Sequence, residues 1–380
     1  MIPGTSSILQ PVPSADAGNQ APQPFVYGRA PLLIYWESTR ACDLACIHCR
    51  AMAVAQRNPR ELRTDEVTGL LEQIARFGPP QRGLDLPHLI ITGGDPLQRP
   101  DLIELIQYAN MLNIRVSVTP AGTARLTAGV IAELKAAGTV GLGLSLDGPD
   151  EERHDAFRGE AGSFNWTVSA ALAARRQGMP LQVNTMVTAE TLHYIPEIFQ
   201  VVQELDVTRW ALFFLITTGR GQALSEITPA ESERFLNWLW RMADQAPFPI
   251  KTTEAHHYRR IAYLKLRSQG LSDEEIRRTP TGRGFGIRDG NGILFISHTG
   301  DIYPSGFLPL SAGNVRHKNI VDVYRRGNLF RRIRHLNQLQ GKCGRCEFRA
   351  ICGGSRARAF ATTGDPLAAD PLCPYIPRQR

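Results

Sequence analysis

Three cysteines fall within eight residues at Cys42-Asp43-Leu44-Ala45-Cys46-Ile47-His48-Cys49, directly after the apolar run 32–36. No other stretch constrains the chain as tightly. Thiolates hold iron-sulfur clusters, usually four per cluster, so three ligands leave one iron open to an outside molecule. A catalytic metal keeps a free position in the same way. A structural zinc knuckle would use the same residue type, and the spacing alone leaves both readings standing.

Seven cysteines, an odd number gathered in two clusters, fit metal ligation in a reducing compartment better than a disulfide framework. The N-terminus has no basic segment followed by an apolar stretch, and no apolar run approaches the ~18 residues of a membrane span. The cytoplasm is therefore the expected location, with no membrane partner. The formal charge is +7, but the basic residues are scattered without an aromatic-interleaved stripe, so nucleic acid is not an expected partner. Arg325-Arg326 and Arg331-Arg332 read as the solvated face of an amphipathic helix.

A chain of 380 residues predicts one large domain and a smaller one. Residues 1–28, rich in Pro, Ala, Ser and Gln, predict a disordered tail. Over 29–220, β-type runs at 32–36, 89–92, 114–118, 142–146, 181–187 and 210–216 alternate with helical patterns. That is an α/β pattern with a parallel sheet, which right-handed crossovers curl into a partial (β/α)6 TIM-like barrel. In the first helix Thr64 is the expected N-cap, Val67, Leu70, Leu71 and Ile74 form the buried face, and Gly78 is the stop. A second helix spans 163–178. Ligands gather at the C-terminal strand ends of such folds, and the three cysteines lie at the first of these.

Other strand ends carry polar turns. Thr92-Gly93-Gly94-Asp95-Pro96 follows the second strand, where glycines allow close backbone approach and Asp95 offers a carboxylate for an ammonium group. The fourth ends in Ser145-Leu146-Asp147-Gly148-Pro149, where alternation sends Ser145 and Asp147 to one face, suited to a ribose diol. Residues 221–290 predict a helical linker with a helix at 229–243 and a glycine-rich turn at 282–292. Within it Glu254, His256, His257 and Tyr258 are either acid, base or cluster-side donor groups, or plain surface residues. Residues 291–380 open with a hairpin, strand 291–297 turning at Thr299-Gly300-Asp301. Cys343, Cys346, Cys352 and Cys373 follow at C-x2-C-x5-C-x20-C, a complete set for zinc or for an iron-sulfur cluster.

In order and placement these motifs resemble the radical S-adenosylmethionine enzymes over about residues 30–376, with Gly-Gly-Asp-Pro where the family has Gly-Gly-Glu-Pro. The resemblance implies a 4Fe-4S cluster on Cys42, Cys46 and Cys49, with S-adenosylmethionine on its open iron and cleavage of that cofactor to a 5'-deoxyadenosyl radical. It implies cofactor contacts from Gly93, Gly94, Asp95, Ser145 and Asp147, with Arg158 beside the carboxylate and Asn184 and Leu215-Ile216 near the adenine and sugar. His48 departs from the aromatic residue common before the last cysteine, and the shorter Asp95 leaves amine recognition to backbone carbonyls.

The C-terminal cysteine-rich region resembles the SPASM/twitch domain, implying an auxiliary 4Fe-4S cluster on Cys343, Cys346, Cys352 and Cys373. Full SPASM domains hold two such clusters. Ser305 and Arg356 stand where the second would need cysteines, so one closed cluster suited to electron transfer is expected. The run from Cys352 to Ala359, with Thr363-Gly364-Asp365 and Asp370-Pro371 after it, resembles the branch of haem-forming decarboxylases and their relatives in nitrite-reductase haem biosynthesis. This implies an oxidoreductase or lyase acting on tetrapyrrole propionates, which Arg356 and Arg358 would pair unless they merely offset cluster charge. A ribosomal peptide is the alternative substrate, disfavoured by the lack of a periodic segment before the barrel. Flavodoxin or ferredoxin is the implied reductant. A non-enzymatic iron-sulfur or zinc protein is the remaining class, and it would not need the turns at the strand ends.

Overall fold

A computed structural model describes residues 27–79 and 85–378 of the chain. Residues 1–26 of the expected tail lie outside the described residues. Tyr27, assigned to that tail from sequence, is buried, and its carbonyl accepts a 2.7 Å hydrogen bond from Tyr324 Oη.

Seven parallel strands form the barrel wall in chain order: β1 (Leu33–Glu37), β2 (His88–Thr92), β3 (Val116–Val118), β4 (Thr139–Ser145), β5 (Leu181–Val187), β6 (Arg209–Phe214) and β7 (Ile250–Thr253). Their crossovers carry α1 (Thr64–Ala75), α2 (Leu102–Met111), α3 (Ala128–Ala136), α4 (Glu151–Arg158), α5 (Ser163–Arg176), α6 (Ile195–Glu204) and α7 (Pro229–Ala243). The partial α/β barrel is thus as expected, with β7 added from the segment read as helical linker. That segment continues in α8 (Tyr258–Ser268) and α9 (Asp273–Arg278).

The C-terminal hairpin does not stand apart. Its strands β8 (Ile293–Ile296) and β9 (Asp301–Tyr303) are antiparallel to each other, and β8 pairs in parallel with β1, Leu33 opposite Ile293. With β10 (Gly313–Asn314) they complete one ten-stranded sheet, so the cysteine-rich region is fastened to the barrel's first strand by backbone hydrogen bonds. Asp301, expected in the turn, belongs to β9. Beyond β10 come α10 (Ile320–Arg326), α11 (Asn328–Arg334), α12 (Gly341–Arg345) and α13 (Arg356–Thr363). Arg326, Arg331 and Arg332 are solvated as expected, whereas Arg325 turns inward to the carbonyls of Arg29 and Phe77.

Alternation along the strands separates two environments. Ile34, Trp36, Leu89, Ile91, Leu142, Leu144, Val183, Trp210 and Leu212 face the helices in one continuous core. Their neighbours Tyr35, Ile90, Ser117, Ser145, Gln182, Asn184, Met186, Arg209 and Phe213 stay partly exposed, so the concave face is open. The helix α1 starts one residue earlier than expected. Arg63 is the N-cap in extended backbone, Glu66 Oε2 accepts its amide at 2.8 Å, and Thr64 instead donates to Asp101 Oδ2 at 2.9 Å. No helix among the described residues is long and apolar enough to cross a membrane.

Candidate active site

The cysteine loop hangs from the end of β1 and is zipped to the turn after β2. Gly94 N donates to Thr39 O and Asp95 N to Ala41 O, both at 2.7 Å. A Cβ at Gly94 would sit 2.5 Å from Ala41 O, inside any permissible contact, so the two backbones touch only because the residue is glycine. Gly93 packs the same way on Thr39. These glycines therefore shape the cysteine loop. Arg220, from the loop after β6, secures its other side by donating to Cys46 O at 2.8 Å and Ala53 O at 3.2 Å.

Cys42, Cys46 and Cys49 pack in one cluster with Leu44, Ala53 and Ala121. Backbone amides point at the sulfurs, Leu44 N at Cys42 Sγ and Ala53 N at Cys49 Sγ, each 3.4 Å. Burial pushes the Cys42 thiol up to about 12, so a thiolate there needs a cationic partner. Three thiols packed on one loop, with amide donors at two of them, fit a cluster that would leave one iron open.

Asp95 is completely buried, accepting from Leu97 N (3.1 Å), Ala121 N (3.4 Å) and Thr123 Oγ1 (3.3 Å), and burial raises its pKa. Its carboxylate is committed to the fold. Asp147 and Arg158 are brought together, but with each other: Arg158 Nη1 donates to Asp147 Oδ2 at 3.2 Å, and Met186 N to Oδ1 at 2.7 Å. Arg158 also donates to Ala121 O at 3.1 Å and is a buried cation beside Cys46 and Cys42. Asp147 N donates to His154 Nδ1 at 3.1 Å. His48 stacks on Phe157 with ring centroids 4.6 Å apart, filling the aromatic role of the position it replaces. Burial brings the His48 pKa down to about 4, so the ring is neutral at pH 7. Ser145 and Asn184 lie side by side on the concave face. Leu215 sits just past the end of β6 rather than on it, and its carbonyl accepts from Arg358 Nη2 at 2.8 Å.

Cys343, Cys346, Cys352 and Cys373 line one pocket with His257, Arg260 and Lys342. All seven cysteines are free thiols. Among the described residues no three Cys, His, Asp or Glu side chains converge closely enough to hold a single metal ion. Four thiols around one pocket are a complete ligand set for an iron-sulfur cluster or for zinc. Asp370 N and Gly354 N point at Cys343 Sγ (3.3 Å) and Cys352 Sγ (3.4 Å). Gly354 holds φ +67°, and a Cβ there would lie 3.1 Å from Cys343 Sγ and 2.5 Å from Arg356 Nη2.

Ser305 and Arg356, at the positions where the resemblance would put cysteines of a second auxiliary cluster, are both buried among polar groups. Buried Asp289 accepts from Ser305 Oγ, and from Arg356 N (3.0 Å) and Ala357 N (3.3 Å) at the start of α13. Arg356 and Arg358 are buried with their guanidinium groups committed, so they cannot pair substrate propionates. Arg356 donates to the carbonyls of Gly354, Pro366 and Ala368, and its Nη2 lies 3.8 Å from Cys343 Sγ. Arg358 donates to Glu226 Oε2 and Glu254 O, each at 2.5 Å, as well as to Leu215 O. Charge compensation and bracing are what these arginines provide.

The candidates Glu254, His256, His257 and Tyr258 are all buried, which removes the surface option. Glu254 sits at φ +61° and accepts from Ser355 Oγ; burial and neighbouring Asp289 raise its pKa. His257 Nε2 lies 2.8 Å from Ser232 Oγ, and the ring borders the four-thiol pocket. Burial lowers both histidines' pKa values, that of His257 to about 3.

Sequence reasoning missed a group at the barrel mouth. Glu37, last residue of β1, pairs with Arg50 at 2.6 Å and lies 2.8 Å from His298 Nδ1 of the C-terminal hairpin. Its adjacency to the cysteine loop was the available signal; the His298 partner, 261 residues away, was not readable.

Comparison with known proteins agrees with this geometry. Residues 36–202 match the Radical SAM superfamily. The chain is 36% identical over 351 residues to an AdoMet-dependent heme synthase of Methanosarcina barkeri, covering 92% of this chain and 98% of that one. It is 39% identical over 354 residues to the AdoMet-dependent heme synthase of Nitratidesulfovibrio vulgaris, covering 91% and 93%. In structure it resembles Streptococcus suis SuiB bound to S-adenosylmethionine, with TM-score 0.70 at 19% identity over 91% of this chain and 78% of that one. The chain belongs to the Radical SAM superfamily and is an enzyme whose family implies S-adenosylmethionine and a 4Fe-4S cluster.

Proposed function

We propose that this enzyme oxidatively decarboxylates propionate side chains of a tetrapyrrole in a haem-forming reaction. One observation carries the proposal: the near full-length similarity to two AdoMet-dependent heme synthases. When bound at Cys42, Cys46 and Cys49, the reduced cluster and S-adenosylmethionine supply a 5'-deoxyadenosyl radical. Turning a propionate into a vinyl group removes one hydrogen atom, one carbon dioxide and one further electron. That electron needs an exit, and the pocket of Cys343, Cys346, Cys352 and Cys373 supplies ligands for one auxiliary 4Fe-4S carrier, whose negative charge Arg356 and Arg260 offset. Ser145 and Asn184 offer polar groups to the nucleoside from the concave face. Arg158, held by Asp147, keeps a positive charge beside the thiolates. Buried His257, its pKa lowered by burial, borders the four-thiol pocket as a neutral group.

The test is anaerobic incubation of the reconstituted protein with S-adenosylmethionine, a flavodoxin or dithionite reductant and iron coproporphyrin III. Haem, with 5'-deoxyadenosine and carbon dioxide formed in equal amounts, is the expected result. Cofactor cleavage with the tetrapyrrole returned unchanged would refute the substrate.

A further inference from the structure

Several buried or half-buried cations in this chain meet carboxylates, and others, such as Arg288 and Arg356, meet backbone carbonyls. Arg99 meets Asp101 at 2.6 Å, Arg158 meets Asp147 at 3.2 Å, Arg260 meets Glu233 at 2.5 Å and Arg358 meets Glu226 at 2.5 Å. Lys251 is different. It lies on β7 next to Ile250, which packs on the helix-side core, so alternation turns Lys251 to the concave face. Among the described residues no carboxylate or hydrogen-bond acceptor meets its ammonium group. The charged groups that influence it are both cations, Arg209 and Arg259, and burial with these two lowers its pKa to about 8, leaving it charged at pH 7. Arg259 Nη1 is likewise buried without a partner among the described residues.

Strand register fixes where this lysine stands. Ser145 is opposite Asn184, Asn184 opposite Ala211, and Ala211 opposite Lys251. These four residues form one layer across β4 to β7, three strand spacings or about 14 Å along the curved sheet. Ser145 and Asn184, the pair proposed to face the nucleoside, are at one end of the layer and the unpaired ammonium at the other, with only the small side chain of Ala211 between them. Arg209 lies one layer below, next to Gln182, adding positive potential from beneath.

We infer that Lys251, supported by the positive field of Arg259 and Arg209, binds a carboxylate of the substrate inside the barrel and so sets its reacting arm opposite Ser145 and Asn184. The inference deepens the tetrapyrrole proposal and rests on it for the identity of the ligand. A tetrapyrrole with several propionates can anchor one while presenting another, and a charge-assisted hydrogen bond in a half-buried site is the strong kind.

The experiment titrates cluster-loaded wild type, Lys251→Met and Lys251→Arg with iron coproporphyrin III and with its tetramethyl ester, following absorbance. Lys251→Met should weaken binding of the acid by about tenfold or more and leave the ester unchanged, while Lys251→Arg recovers most of the affinity. Iron content and S-adenosylmethionine affinity should match wild type in both variants, which separates a lost anchor from a damaged fold. Equal affinity of wild type and Lys251→Met for the acid, or equal losses for acid and ester, would overturn the inference. If wild type binds neither tetrapyrrole, the substrate proposal fails and the lysine is judged separately, by acetic anhydride labelling read by peptide mass spectrometry. Protection of Lys251 by glutarate but not by dimethyl glutarate then supports a carboxylate site, and absence of protection overturns it.

Discussion

The two cysteine sites use one residue type to opposite ends. In the barrel, three thiols lie on a loop held by backbone contacts to Gly94 and Asp95 and by Arg220. In the C-terminal region four thiols close one pocket, braced by Gly354, Asp370 and Arg356. An incomplete ligand set leaves coordination for a cofactor, whereas a complete one leaves only electron exchange. Beside this pocket Ser305 and the backbone of Arg356 are tied to the carboxylate of Asp289, which leaves the four thiols as the one cysteine set of the C-terminal region.

The largest effect should come from the open site. Cys42→Ala, Cys46→Ala and Cys49→Ala should each abolish 5'-deoxyadenosine formation, measured by chromatography after anaerobic reconstitution, because two thiolates cannot retain the cleaving cluster. Normal cofactor cleavage in any one of them would break the contrast at its root.

The closed site should fail differently. Cys343→Ser or Cys373→Ser should lower product formation by about two orders of magnitude, near 3 kcal/mol of barrier, while reductive cleavage of S-adenosylmethionine continues. A Cys42/Cys46/Cys49→Ala protein should retain about four irons and a 4Fe-4S spectrum from this site alone. Zinc in place of iron there, or loss of both activities together in the single variants, would make the pocket a structural site.

The barrel and the two groupings of cysteines were legible in sequence because they depend on local spacing. The C-x3-C-x2-C run, the Gly-Gly-Asp-Pro turn and Ser-Leu-Asp-Gly-Pro each follow a strand whose apolar alternation is strong, and Ser305 and Arg356 are visible substitutions. The strand β7 was missed because all four of its residues are partly exposed, giving no alternation to detect. The role of Arg358 was misread for another reason. Its partners Glu226 and Leu215 are 132 and 143 residues away, so a guanidinium that looked available to a substrate is committed to bracing the fold. Asp147 and Arg158 lie beside the cysteine loop, and their mutual ion pair, which depends on how α4 folds back over the end of β4, could not be read from the sequence.

The smallest predicted effect tests how firmly the two regions are joined. Glu37 at the end of β1 binds Arg50, which follows Cys49, and His298 from the C-terminal hairpin. Burial alone would raise its pKa, but the Arg50 charge and the hydrogen bonds from His298 and Arg50 outweigh it and lower the value to about 2 from an ordinary 4.5. A carboxylate whose folded pKa is depressed stabilises the fold fully above its unfolded pKa, and that contribution fades as pH falls towards the folded value. Between pH 6 and pH 3 the loss amounts to ~2 kcal/mol. Glu37→Gln should therefore be less stable than wild type at pH 6, and the gap between the two denaturation midpoints should narrow by that amount as the pH falls to 3, closing only as it passes through the folded pKa. Cluster loss in acid affects both proteins alike, so the difference between them is the informative quantity. A gap that stays constant across this range would mean that the Glu37 charge does not join the cysteine loop to the hairpin, and that the ten-stranded sheet alone holds the two sites together.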